Sequence, residues 1–229
     1  MMQETRHHYR EQLRELEEQT LGGMDLVIGQ LNRALESLSY QDVELAAIVV
    51  ADDDRIDGRY LEVHQGILSL LARQSPVAGD LRLVAALLHI IRCIERMGDQ
   101  CVNIAKLVPL SGYESPKDKD ILDAIERMAS CARSQVSQAR DAFKTRNVEL
   151  ANDLVRQDEE INRLNRLTFK RAVEVGDDLE IREWAMFMIL VARCLERIGD
   201  NTVDIAEQTV FVAKGLFREM ADNQGAPPA

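Results

Sequence analysis

Apolar residues recur at steps of three and four along nearly the whole chain, which is the period of a helix with one buried face. In the first segment they fall at Tyr9, Leu13, Leu16, Met24, Val27, Leu31, Leu35 and Leu38. Such a stripe needs other helices to cover it, and Gly22–Gly23 is a candidate bend within it. Breaker-rich stretches divide the pattern: "SYQD" (39–42), "RQSPVAGD" (73–80), "PLSGYESPKD" (109–118), "KTRN" (144–147) and "VGDD" (175–178). They leave six helices of about 30 residues, each roughly 45 Å long. Ser115–Pro116 reads as an N-cap followed by proline at the first helical position. The tail "ADNQGAPPA" reads as disordered. Nothing alternates with period two for long, so no sheet is expected.

The pattern also repeats. A shift of 101 residues lays Ile90–Lys106 on Val191–Glu207 with nine of seventeen positions identical, among them Cys93/Cys194, Glu95/Glu196, Gly98/Gly199 and Asp99/Asp200. Each repeat spans three helices, enough for a self-sufficient bundle. The expected fold is all-α: two tandem antiparallel three-helix bundles, residues 1–110 and 111–217, followed by a tail at 218–229.

Carboxylates interrupt the apolar seams. Residues four apart share a helix face. In the third helix the seam runs Val84, Leu88, Ile91, Glu95, Gly98, Val102 and Ala105, so Glu95 and Asp99 lie in or beside it. The sixth helix repeats this with Glu196 and Asp200, between Ala192 and Val203. The second helix reads Ala46, Val50, Asp53, Asp57, Tyr60, His64 and Ile67. Asp57 lies 18 residues before Ser75 and Glu95 lies 20 after it, so a hairpin brings them level. In the second repeat, Asp158 and Glu196 flank the turn near Gly176 in the same way, with Asn162 and Glu159 nearby. Unpaired buried carboxylates cost several kcal/mol each. Arginine pairing (Arg92, Arg96, Arg193, Arg197), water or a bound cation each relieves that cost. Hard cations take oxygen ligands, and bundles build such sites from carboxylates on facing helices.

Composition narrows the chemistry. Aromatics are 4% of the chain, so the core is aliphatic. The formal charge of −11, from 39 acidic and 28 basic residues, argues against nucleic acid as a partner. Cys93, Cys101, Cys131 and Cys194 form no CxxC pair and read as reduced core thiols. The charged start "MMQETRHHYREQLREL" is unlike a secretion signal, and "WAMFMILVA" (184–192) is about half a membrane span. A cytoplasmic protein without membrane insertion is therefore expected. A redox di-iron bundle would carry Glu-x-x-His. The histidines are His7, His8, His64 and His89, and none stands three after a seam glutamate. No phosphate-binding glycine loop, HExxH or nucleophilic triad pattern occurs either. His64 could line the first acidic group.

The doubled "ERMGDQCVNIAK" and "ERIGDNTVDIAE", the lead-in "RQSPVAGDLRLVAALLHIIRCIERMGD" and the 101-residue repeat together resemble the PhoU family, the accessory regulators of bacterial phosphate uptake. The resemblance covers residues 4 to 215. It implies two three-helix bundles and a homodimer, to which apolar helix flanks also point. It further implies acidic E(D)xxxD motifs that bind divalent or trivalent metal ions such as iron, zinc, manganese or magnesium. The matching positions are Asp53, Asp57, Glu95, Asp99, Asp158, Glu196 and Asp200, with Asn162 where the family's pattern has a second acid. Glu159 and Asp204 are substitutes for it. The resemblance also implies a non-enzymatic adaptor that connects a phosphate ABC transporter, through its ATPase component, to a sensor histidine kinase and restrains uptake. The alternatives are a carboxylate-bridged metalloenzyme and a metal-free helical scaffold.

Overall fold

A computed structural model describes residues 2–73, 76–112 and 117–215. The helices are α1 (Met2–Tyr40), α2 (Val43–Ala51), α3 (Asp54–Arg73), α4 (Ala78–Leu107), α5 (Lys119–Thr145), α6 (Val148–Glu174) and α7 (Leu179–Lys214), with a 3-10 turn at Val108–Leu110. No strand occurs among the described residues. The breakers work through local chemistry. Asp42, Asp118, Asn147 and Asp178 each accept a hydrogen bond from the first turn of the following helix, which satisfies amides that have no partner within the helix. The α1–α2 and α5–α6 turns pass through left-handed residues at Gln41 and Arg146, both at φ 54°. These two are 105 residues apart, so the same turn recurs in both repeats.

Gly22–Gly23 lies within the continuous α1; a Cβ at Gly23 would lie 3.2 Å from Ile94, so the glycine allows close approach to α4. Two expectations need correction. The helix after "PLSGYESPKD" starts at Lys119 and is capped by Asp118; Ser115–Pro116 and the tail at 218–229 lie outside the described residues. The second of the six helical positions is broken at Asp52–Asp53 into α2 and α3. Aspartate competes with helical hydrogen bonding through its short side chain, and three in a row sit at the break. The buried seam also lies one position over from the expected one on both sides of the break: the buried residues are Ala46, Val49, Ile56, Val63, Ile67 and Leu70, leaving Asp57 at the exposed edge.

Within each repeat the three helical positions pack on one another. The repeats also pack together, α4 against α7 and α1 against α5, and one aliphatic core runs through both, with Trp184, Phe143, Met24 and Met97 fully buried. Arg146–Glu17 at 2.7 Å and Arg140–Asp25 at 2.9 Å tie α5 to α1. Three pairs set the direction of the α4–α7 crossing. Arg82 approaches Gly215, Cys93 approaches Asp204, and Cys101 faces Cys194, so the two helices run antiparallel.

Candidate metal centre

The eight carboxylate and amide positions of the sequence fall into two groups of four. In the first, the α2–α3 break carries Asp53 to α4. A Cβ at Gly98 would lie only 3.1 Å from Asp53 Oδ1, so glycine there leaves room for the carboxylate against the helix backbone. Gln30 of α1 donates from Nε2 to Asp53 Oδ1 at 3.0 Å and to the Val49 carbonyl at 3.3 Å. Asp57, although exposed, is pushed above the usual carboxylate range by the partial desolvation of its carboxyl and then by Asp53 and Asp54. Glu95 is pushed up chiefly by burial, with Arg92 opposing and Asp99 and Asp57 adding repulsion. Its Oε2 is buried without a hydrogen-bond donor; Arg92 Nε lies 3.7 Å away.

The second group repeats the arrangement in a tighter setting. Asp158 is buried on the unbroken α6 and faces Gly199, where a Cβ would stand 2.6 Å from Oδ1. That Oδ1 has no hydrogen-bond partner, while Oδ2 accepts from Asn162 Nδ2 at 2.7 Å. Burial first, then Asp200, with Glu196 and Glu159 adding, pushes the Asp158 carboxyl up to about 6; the Asn162 hydrogen bond opposes this. Glu196 is raised by burial and by Asp200; Arg193 pairs with its Oε1, and its Oε2 is buried without a partner. Burial raises Asp200, with Arg193 opposing and Asp204 adding repulsion. A groove of ≈ 670 Å³ opens beside this group, lined in part by Asp158, Glu159, Asn162 and Arg163.

The carboxylate pattern of the sequence does not single out Gln135 or Gln30. A Cβ at Gly199 would lie 3.2 Å from Gln135 Oε1, and both amide atoms of this buried side chain lack partners. The signal was present: the 105-residue shift that carries Asp53 to Asp158 and Asp57 to Asn162 also carries Gln30 to Gln135. Of the substitutes for Asn162, Glu159 lines the groove at Asp158, while Asp204 is turned toward His89 and Cys93 of α4. His64 stacks on Tyr60 with ring centres 5.6 Å apart. Clustered oxygen donors with unsatisfied carboxylate atoms suit hard cations.

A family model described as PhoU domain matches twice, over residues 23–108 and 125–209, once for each repeat. The chain belongs to the PhoU family. Among PhoU relatives, the phosphate-specific transport system accessory protein PhoU homolog of Clostridium acetobutylicum is 29% identical over 221 residues, covering 95% of this chain and 100% of its own. PhoU homolog 1 of Thermotoga maritima is 29% identical over 209 residues, covering 91% of this chain and 90% of its own. The crystal structure of the phosphate transport system regulatory protein PhoU from Streptococcus pneumoniae matches the fold with a TM-score of 0.85 at 26% identity, covering 92% of this chain and 99% of that one. PhoU from Pseudomonas aeruginosa matches with the same score and identity, covering 91% and 100%. The doubled acidic motif thus sits in a PhoU fold. No described helix is long and apolar enough to cross a membrane.

Proposed function

We propose that this protein is a metal-binding regulator of phosphate uptake. It restrains uptake and phosphate-starvation signalling as a non-enzymatic cytoplasmic adaptor between a phosphate ABC transporter, engaged through its ATPase, and a sensor histidine kinase. Membership of a family whose relatives are named phosphate-transport accessory proteins supports the regulatory part. One observation carries the metal part: Glu95 Oε2, Asp158 Oδ1 and Glu196 Oε2 are buried carboxylate oxygens with no hydrogen-bond donor. A divalent or trivalent cation (iron, zinc, manganese or magnesium) is the ligand that satisfies such oxygens most directly. Asp53, Asp57, Glu95 and Asp99 would hold one site; Asp158, Glu196, Asp200 and the Asn162 carbonyl the other. A bound cation would supply positive charge among carboxylates that otherwise repel one another. The protein itself supplies the spacing, through Gly98 and Gly199, and the orientation, through Gln30 and Asn162.

Elemental analysis of protein purified without chelator tests the metal. Bound metal should be present in the wild type and lost in a Glu95→Ala/Asp99→Ala/Glu196→Ala/Asp200→Ala variant; equal, negligible metal in both removes this part of the reading. Deleting the gene should derepress phosphate-starvation genes in rich phosphate, and unchanged repression in the absence of a second copy rules out the regulatory part. The protein acts as a homodimer in this reading, so light scattering at micromolar concentration should give twice the chain mass.

A further inference from the structure

One cluster stands apart from the two acidic groups. His89 and Cys93 lie one helical turn apart on α4, and Asp204 reaches them from α7; one ligand atom of each lies within 4.8 Å of the others. The three span the contact between the repeats. We propose that His89, Cys93 and Asp204 form a transition-metal site, suited to Zn²⁺, that clips α4 of the first repeat to α7 of the second.

The donor set differs in kind from the oxygen-only groups. Thiolate, imidazole and carboxylate together select zinc over magnesium or calcium. At metal–ligand distances of about 2.0–2.3 Å, tetrahedral ligand atoms stand roughly 3.3–3.8 Å apart, so closing the set takes side-chain shifts of about 1 Å. Asp204 is half-buried and forms no hydrogen bond or ion pair among the described residues; His89 and Arg96 act on it only at longer range. A bound cation takes Cys93 as the thiolate, displacing the thiol proton to solvent. Three protein ligands leave the fourth position to water on the exposed His89 side.

The molecule carries its own control. A shift of 101 residues takes His89 to Leu190 and Cys93 to Cys194, and takes Asp204 back to Asn103. The pseudo-equivalent position therefore keeps the buried cysteine without imidazole or carboxylate. A thiol in this seam alone is core packing; the added histidine and aspartate are what make a site.

Cobalt(II) titration of the full chain tests this, because a sulfur-to-cobalt charge-transfer band reports a thiolate ligand that carboxylate clusters cannot produce. The band should appear at one equivalent, vanish in Cys93→Ala and persist in Cys194→Ala and in the fourfold acid variant. Asp204→Asn and His89→Ala should each weaken zinc competition at least about tenfold, and zinc should raise Tm in the wild type but not in these two. His89 is exposed, so His89→Ala leaves the fold intact even if Cys93→Ala does not, and circular dichroism checks both. No band in the wild type, a band that survives Cys93→Ala, or wild-type zinc affinity in His89→Ala overturns the proposal. Stoichiometry, zinc competition and Tm are read in the background of the fourfold acid variant, so that metal held by the acidic groups does not enter them.

Discussion

The two acidic groups are built from equivalent positions yet differ in a way opposite to what their acid count suggests. The first has four carboxylates, Asp53, Asp57, Glu95 and Asp99. It sits at a helix break, with Asp57 and Asp99 exposed and Asp53 held by Gln30. The second has three carboxylates and Asn162, yet Asp158 and Glu196 are both buried and each carries an oxygen with no partner. The difference lies in the backbone. Where the first repeat reads Asp52–Asp53–Asp54, the second reads Gln157–Asp158–Glu159. Glutamine and glutamate are better helix formers than aspartate, so α6 continues and holds Asp158 inside. Desolvation of the carboxylates therefore follows the backbone as well as the number of acids, and the first group has one unpartnered buried carboxylate oxygen, on Glu95, against two in the second.

The largest effect that would break this comparison is on metal itself. Glu95→Ala/Asp99→Ala and Glu196→Ala/Asp200→Ala should each weaken one site by about 100-fold or more, read by calorimetric titration; if either pair abolishes both sites, the two groups are not independent. Next comes space. Gly199→Ala pushes a methyl against Asp158 and Gln135, with a shortest distance of 2.6 Å, and should cost about 2–3 kcal/mol in denaturant unfolding. Gly98→Ala meets Asp53 and Ile56 at 3.1 Å and should cost about 1 kcal/mol or less, because alanine also favours the helix. Equal losses would show that the two glycines do not differ as the geometry says.

Asn162→Asp sharpens the comparison further. It replaces a donor 2.7 Å from Asp158 with a second acid. Metal-free stability should fall by about 1–2 kcal/mol, and added metal should more than restore it. The smallest effect is a pH dependence. Folded Asp158 titrates near about 6 against an ordinary 3.8, so between those values the folded state holds more protons than the unfolded one. Metal-free stability should therefore fall as pH rises through that window, and the penalty should be absent below it. Asp158→Asn should raise metal-free stability above the window by about 1 kcal/mol and change little near pH 4. A gain of the same size at both pH values would assign the effect to packing.

Much of the architecture is legible in the sequence. The breakers "SYQD", "KTRN" and "VGDD" fall where α1, α5 and α6 end, because caps and left-handed turns are local chemistry. The levelling of Asp57 with Glu95 and of Asp158 with Glu196 followed from counting residues to a hairpin turn, since helical rise is constant. The break at Asp52–Asp53 was harder to read. Periodicity continues across it, and only the aspartate run signalled it.

The chain's own order of residues determined the all-helical class, the doubled three-helix unit and the eight positions that share helix faces, because those depend on spacing along one chain. Only the tertiary structure decided which of those carboxylates lose water. It likewise decided that Gln30 and Gln135 enter the two groups from the first helix of each repeat, and that Asp204 meets His89 and Cys93 across the α4–α7 contact. Burial and meetings between distant helices depend on how the repeats pack together, which no spacing within a helix encodes.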